Sequence, residues 1–206
     1  MSQFEQPGHT EFGLVQTGFG QVLTGSTFME LRVGQKVSYP SQGVCLVEDI
    51  GKRTIGQISI KFYSLRVLSD NSTIFVPMAN AESVGIRPII SPIQCDALID
   101  KLSTDFEPVS CDWKTRSRGF TEQLQSGDIF EAADVLKKLT FLSHEKKLSF
   151  REQTLLDKSK FLIISEISNS NSADEEELSS EIDRLVEIAC KRHALLQPTL
   201  MAVTVH

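Results

Sequence analysis

The single tryptophan of the chain stands among cationic residues, a combination that suits contact with nucleic acid. Trp113 is followed at short spacing by Lys114, Arg116 and Arg118. A flat aromatic ring can stack on a base or wedge between base steps, and neighbouring cations can hold the phosphates. These four residues are therefore the first candidates for a DNA-binding site.

A helix is expected to position these residues. Asp112 is a favoured helix N-cap and Gly127 a favoured helix stop, which predicts a helix that begins at Trp113 and ends about two residues before Gly127. The indole would then lie at a helix tip. Phe120 and Leu124 fall on the same side of that helix, so Trp113 could instead be the first residue of a buried stripe. Both interpretations stay open at this point.

The charge of the chain limits how it could bind DNA. Its 206 residues carry a formal net charge of −6. The balance is positive over residues 31–92 and strongly negative over 166–206. A chain this acidic is not expected to coat DNA through charge alone. Any DNA contact should be local, or assisted by a partner protein that brings the DNA close.

The sequence offers no pattern for a metal site, a cofactor or catalysis. The four cysteines are far apart and make no CxxC pair, which argues against zinc and disulfides and favours a reduced, cytoplasmic setting. The chain has no glycine-rich phosphate loop and no GxSxG or HExxH motif. No apolar run approaches the length that spans a membrane. We therefore expect a protein that is not an enzyme, needs no cofactor and has no membrane anchor.

Residues 29–90 are predicted to form a small β domain. Four runs are rich in Val, Ile, Phe, Tyr and Thr and are separated by glycine, proline and other turn residues: 36–39, 44–50, 58–68 and 72–76. Several short strands with tight turns indicate a strongly bent sheet of the Tudor or SH3 type. An open sheet has edges, and an edge can accept a strand of another protein.

Residues 91–166 are predicted to form a compact all-helical domain. Helix starts are indicated by Ser91 before a proline, by Asp112, and by the capping-box patterns that begin at Asp128 and Ser149. Residues 168–172 are interpreted as a linker, with an acidic helix and a tail in the rest of 167–206. The predicted fold class is therefore α+β, a β domain followed by a helical domain.

Residues 1–28 show no sustained periodicity. They contain five glycines and four phenylalanines scattered among polar residues, and they are predicted to be a disordered leader. Met29 directly precedes the first β runs and is a candidate for the true start of the protein.

Four stretches, in this order, resemble one family. They are VGQKVSYPSQGVCLVEDI at 33–50, FVPMANAESVGIR at 75–87, DWKTRSRGFTEQLQSGD at 112–128 and LSFREQTLL at 148–156. The first two are similar to the N-terminal module of the bacterial CarD/CdnL transcription regulators, which also occurs in the transcription–repair coupling factor. The last two resemble the helical domain of CarD. The resemblance covers about residues 29–166.

The resemblance implies contacts with two partners. The N-terminal domain would bind the β subunit of RNA polymerase, largely by extending a sheet. The helical domain would reach promoter DNA at the upstream edge of the melted bubble, where the tryptophan of the family enters the minor groove and hinders bubble collapse. Such a regulator stabilises the open promoter complex, and a monomer would suffice.

Each implied contact maps onto residues of this chain. The DNA-binding residues would be Trp113, Lys114, Arg116, Arg118 and Arg151, with the cations holding phosphates without reading sequence. The polymerase-binding residues would be Arg53, Ile74, Phe75 and Val76.

Three positions depart from the family pattern. Phe75 stands where some members carry an arginine, Thr115 stands where arginine is common, and Gln153 stands where some members carry a DNA-contacting lysine. We therefore expect a lighter grip on DNA than is usual in the family. The alternative function is a docking module on RNA polymerase or another partner, without a DNA wedge.

Overall fold

An antiparallel sheet of five short strands forms the first domain of the computed structural model, which describes residues 30–55 and 58–196. The interpretations of residues 1–28, Met29 and the end of the tail fall outside these ranges. The strands are β1 (Lys36–Tyr39), β2 (Gly43–Ile55), β3 (Ile58–Val67), β4 (Thr73–Pro77) and β5 (Arg87–Pro88). Their spatial order is β4-β3-β2-β1-β5, so β4 lies at one edge of the sheet.

The core of the β domain forms on one face of the central strands. Val37, Val47, Tyr63 and Leu65 are fully buried there, and Tyr63 accepts a hydrogen bond from the Leu31 backbone at 3.2 Å. Branched and aromatic side chains favour this pleated, half-buried surface. A β-bulge between Val47 and Asp49 shifts the register of β2 against β3 and bends the sheet.

The hairpin of β2 and β3 is longer than the sequence indicated. Gly51, Lys52 and Arg53 were interpreted as a turn, but β2 continues through them and pairs with Phe62, Lys61 and Ile60. The Phe62 ring lies directly over Gly51, where a Cβ atom would come within 2.3 Å of it. A larger residue at this point of the strand would displace the Phe62 ring, so Gly51 serves the packing of the ring and does not mark a turn.

Five helices form the second domain. They are α1 (Pro92–Ser103), α2 (Trp113–Gln125), α3 (Ile129–Glu145), α4 (Phe150–Asn171) and α5 (Glu175–Leu196). The capping residues behave as their sequence pattern indicates: Ser91 and Ser149 form capping boxes, and the Asp112 and Asp128 carboxylates accept backbone N–H groups. Apolar residues from all five helices meet in one buried cluster around α3.

The interpretation of residues 168–172 as a linker is wrong. Helix α4 continues to Asn171 and ends at Ser172, which adopts the left-handed conformation with φ of 53°. The polar side chains are satisfied within the helix, since the Asn169 amide donates to the Ser165 carbonyl at 2.8 Å and the Ser168 hydroxyl to the same carbonyl at 3.3 Å. A polar run is therefore compatible with a continuing helix here.

Helix α5 belongs to the helical domain, which therefore extends well beyond residue 166. Ile182 and Ala189 are fully buried in the shared core. Near the end of α5, His193 Nδ1 lies 2.7 Å from an Asp105 carboxylate oxygen and its ring stacks on Phe106 with centroids 4.1 Å apart. Glu175, Glu176 and Glu177 occupy the first turn of α5, where the positive end of the helix dipole stabilises their negative charge.

A buried ion pair joins the two domains. The Arg87 guanidinium, on β5, makes two contacts to the Glu166 carboxylate on α4, one of them at 2.9 Å. Glu166 also accepts hydrogen bonds from the Ile90 backbone at 2.9 Å and the Ser38 hydroxyl at 3.2 Å. These contacts fix α4 against the sheet and thereby orient the helical domain.

No helix within residues 30–55 and 58–196 is long and apolar enough to cross a membrane.

Candidate nucleic-acid interface and docking edge

Trp113 lies at the N-terminal tip of α2 and is 61% exposed. The Asp112 carboxylate accepts the Thr115 backbone N–H at 2.9 Å, which fixes the start of the helix at this residue. Phe120 and Leu124 are buried on the same side of the helix, as the sequence predicted. The buried stripe does not include Trp113. The interpretation of Trp113 as a core residue is therefore wrong in this structure.

Lys114 and Arg118 are both exposed, and Lys114 lies beside the indole. The Lys114 ammonium nitrogen is 5.8 Å from the indole centroid, a cation–π contact. The Arg118 Nε atom is paired with the exposed Glu122 carboxylate at 2.7 Å. An exposed pair of this kind contributes little because solvent screens it, so it can be exchanged for a phosphate.

Arg116 does not have the role that the sequence suggested. It is 6% exposed, and its guanidinium donates to the Glu152 carboxylate and the Ser110 carbonyl, each at 2.7 Å. A phosphate cannot reach a side chain that is enclosed in this way. Arg116 instead fastens the start of α2 to the start of α4, and the phosphate contact predicted for it is corrected to a positioning role.

Glu152 is the ion-pair partner of Arg116. Burial disfavours its charged form, but hydrogen bonds from Arg116 and from the Ser149 backbone and hydroxyl outweigh burial and lower the pKa to about 2. Glu152 is therefore ionised across the whole neutral range. The same carboxylate accepts the capping-box hydrogen bonds from Ser149, so Glu152 stabilises both the start of α4 and the ion pair with Arg116.

A cavity of about 350 Å³ lies between the tips of α2 and α4. We call it the tip cavity. Its walls include Trp113, the two buried residues Arg116 and Ser117, and the cations Lys146, Lys147 and Arg151. Arg151 is exposed and reaches the Thr121 hydroxyl of α2 at 3.4 Å. The cavity thus combines one large aromatic ring with three exposed cations.

The predicted docking residues lie on and beside the edge strand β4. Phe75 is 52% exposed, and the Arg53 guanidinium carbon lies 4.9 Å from its ring centroid and 5.2 Å from that of Phe62. The two rings meet edge to face with centroids 5.6 Å apart. Val76 is buried, so it can contribute only its backbone to a partner. Ile74 is half-buried against the core of the β domain.

Sequence reasoning missed two features of these surfaces. Phe62 completes the Arg53–Phe75 group, a relation that depends on the register of the β2–β3 hairpin. The inward position of Arg116 could have been read from spacing, because it lies three residues after Trp113 and four before Phe120 on the buried side of α2.

Among the described residues, no group of three or more His, Cys, Asp or Glu side chains is placed to hold a metal ion. Burial, followed by the charge of Asp70, raises the pKa of the Cys45 thiol to about 11. Burial, followed by the charge of Glu187, raises that of Cys190 to about 12. These two thiols are therefore protonated and unreactive at neutral pH.

Two family models match the two domains in order. The model described as the CarD-like/TRCF RID domain matches residues 31–90, and the model described as the CarD C-terminal domain matches residues 97–183. The chain belongs to the CarD/CdnL family. The second match ends inside α5, so the family region includes part of the segment that sequence reasoning had left outside it.

Similar proteins include one from Bacillus subtilis (strain 168), YdeB, whose name proposes a transcription factor. It is 24% identical over 149 residues, which cover 72% of this chain and 97% of that protein. A solution NMR structure of the 72-residue N-terminal domain of Myxococcus xanthus CarD is 32% identical, covers 34% of this chain and 92% of that domain, and gives a TM-score of 0.26. The two family matches, over residues 31–90 and 97–183, identify the chain as a CarD-like transcription factor.

Proposed function

We propose that this CarD-family protein docks on the RNA polymerase β subunit through the edge of its sheet and stabilises the open promoter complex with Trp113. The observation that carries the proposal is the exposed indole at the tip of α2, held there by a buried ion pair and surrounded by cations. An exposed tryptophan forgoes a large gain from burial, which is the expected arrangement when its contact surface belongs to a partner.

The physical chemistry of a wedge fits this position. At the upstream edge of a melted bubble, the bases are already partly unstacked, so insertion of a ring costs less than in closed duplex. Stacking of one base on an aromatic ring contributes about 1–3 kcal/mol, which changes an equilibrium by roughly tenfold or more. Insertion in the minor groove at this fork would therefore slow bubble collapse without reading sequence.

Docking on polymerase would bring the protein to DNA that its own negative charge does not attract. With a net charge of −6, the protein has little electrostatic attraction to free DNA. A β subunit bound along β4, with Arg53 and Phe75 as side-chain contacts, would hold Lys114, Arg118 and Arg151 next to the promoter. We expect one copy of the protein per complex.

A docking module without a wedge is the second candidate. It is favoured by the pairing of Arg116 with Glu152 and of Arg118 with Glu122, which leaves fewer cations for phosphate than the sequence suggested. The two candidates share the polymerase contact and differ only in the effect on DNA.

The lifetime of an open complex separates the candidates. Complexes formed by cognate RNA polymerase on a promoter with an unstable bubble are challenged with competitor, with and without the protein. A lifetime that rises with protein concentration and saturates supports the wedge. A protein that binds polymerase but leaves the lifetime unchanged is a docking module.

A further inference from the structure

Phe150 is the most exposed large hydrophobic residue among those that the structure describes. It is the first residue of α4, directly after the N-cap Ser149, and is 90% exposed. Nothing in the packing of the helical domain uses this ring. Its chain neighbours, Ser149 and Arg151, both line the tip cavity, so the Phe150 backbone lies next to that cavity although its ring is not part of the lining.

The surroundings of Phe150 are cationic. Lys146, Lys147 and Arg151 line the neighbouring tip cavity together with Trp113. Lys146 is partly neutralised by Glu152 at 3.7 Å, whereas Lys147 has no ion-pair partner among the described residues. Aromatic rings set among cations are the arrangement by which proteins hold unpaired strands of nucleic acid.

Two buried polar atoms at the cavity lack partners. Arg116 Nε and Ser117 Oγ are the only buried side-chain nitrogen or oxygen atoms, among the described residues, that have no hydrogen-bond partner. Both residues line the tip cavity. Unpaired buried polar groups are rare in native proteins, and an oxygen of a bound ligand would satisfy the Ser117 hydroxyl after a small opening of the wall.

We propose that the tip cavity binds one unpaired DNA nucleotide, with the neighbouring Phe150 as a second stacking residue in addition to Trp113. The volume of about 350 Å³ lies within the range of about 300–1,000 Å³ found for small-ligand sites. The nucleotide phosphate meets Lys147 and Arg151, the base stacks on an aromatic ring, and an oxygen of the nucleotide accepts from the Ser117 hydroxyl. The inference rests on the proposed function, because an unpaired strand is available at the edge of a bubble.

The test compares variants of the full chain in open complexes with cognate RNA polymerase. The promoter carries 2-aminopurine, whose fluorescence falls on stacking, at the upstream edge of the non-template strand. The variants are Phe150→Ala, Phe150→Tyr and Trp113→Ala. Ile93→Ala is the matched control, because Ile93 is 81% exposed near the start of α1 and lies outside the tip cavity.

We expect wild type to quench the probe and lengthen the lifetime of the complex. Phe150→Ala should restore much of the fluorescence and shorten the lifetime about fivefold relative to wild type, the effect of losing one weak stacking contact. Phe150→Tyr and Ile93→Ala should behave as wild type. Unchanged thermal unfolding of Phe150→Ala is expected, since the ring is not packed.

The outcomes distinguish this inference from the proposed function. If Trp113→Ala loses the effect on lifetime while Phe150→Ala matches wild type in both measurements, the inference is overturned and the proposed function stands. If wild type leaves the lifetime unchanged but quenches the probe in a manner that needs Phe150, the inference stands and the proposed function fails. Absence of any Phe150-dependent quenching overturns the inference in either case.

Discussion

The exposed Trp113 depends on buried residues that carry charge. Arg116 and Glu152 are both enclosed and paired with each other; Arg116 also donates to the Ser110 carbonyl, and Glu152 also accepts from the Ser149 backbone. Removing one partner of such a pair is strongly destabilising, since the remaining charge stays buried without compensation. The tip is therefore held rigid by residues that never touch DNA.

Glu152→Gln is expected to change how stability depends on pH. The folded pKa of Glu152, about 2, lies below its ordinary value of 4.5, so its contribution is fully present above about pH 4.5 and is lost as the pH falls towards 2. The stability difference between wild type and Glu152→Gln should shrink by up to about 3 kcal/mol over that window. Urea unfolding of both proteins at several pH values measures this difference in the free energy of unfolding.

Glu145→Gln is the control for this comparison, because Glu145 is exposed and has no ion-pair partner among the described residues. Its stability difference from wild type should stay constant with pH. An equally constant difference for Glu152→Gln would contradict the assigned role of the buried pair.

Individual elements show which features the sequence could predict. The starts of α1, α2, α3 and α4 follow from local capping chemistry, so they were readable from Ser91, Asp112, Asp128 and Ser149. The extent of β2 could not be predicted from its own sequence, because the outer half of this strand is specified by pairing with β3. The end of α4 was missed because Ser168 and Asn169, read as linker residues, form hydrogen bonds within the helix. The packing of α5 was missed because it depends on contacts with α1 and α3, which are distant in sequence.

Helix α5 is expected to be essential for the stability of the helical domain. Ile182→Ala removes a fully buried side chain from the shared core and should lower the free energy of unfolding by about 2–5 kcal/mol. Leu195→Ala, at an exposed position of the same helix, should change it by about 0.5 kcal/mol or less. Chemical denaturation checks both, and equal effects would mean that α5 is not packed as described.

The edge strand β4 is expected to carry the affinity for RNA polymerase. Phe75→Ala removes an exposed ring that Arg53 and Phe62 hold in place, and should weaken binding to polymerase about five- to thirtyfold. Val33→Ala is the matched control, an exposed aliphatic residue just before β1. Titration of labelled polymerase measures both affinities, and an unchanged affinity for Phe75→Ala would place the docking surface elsewhere.

At the scale of the whole molecule, the proposed function needs a fixed distance between the docking edge and the tip of α2. Only a defined orientation of the two domains lets one surface bind polymerase while the other meets the fork. The Arg87–Glu166 pair, with the Ser38 and Ile90 contacts, supplies that orientation. Under the proposed function, the two domains would therefore move as one rigid unit.

Glu166→Gln is expected to uncouple the domains. Loss of the buried charge should lower the free energy of unfolding by about 3–5 kcal/mol and shorten the lifetime of the open complex, with the affinity for polymerase unchanged. Glu48→Gln is the control, because its pair with Arg66 is partly exposed within the β domain and contributes about 1 kcal/mol or less. An open-complex lifetime equal to that of wild type would show that a fixed orientation of the two domains is not needed for this effect.

The most direct test of the central claim is the lifetime of a competitor-challenged open complex with Trp113→Ala, measured beside the affinity of the same variant for polymerase. We predict that Trp113→Ala binds polymerase as wild type does, since the docking edge is in the other domain, but loses most of the lifetime increase. Trp113→Phe should retain part of it, because a smaller ring still stacks. A lifetime as long with Trp113→Ala as with wild type would contradict the wedge.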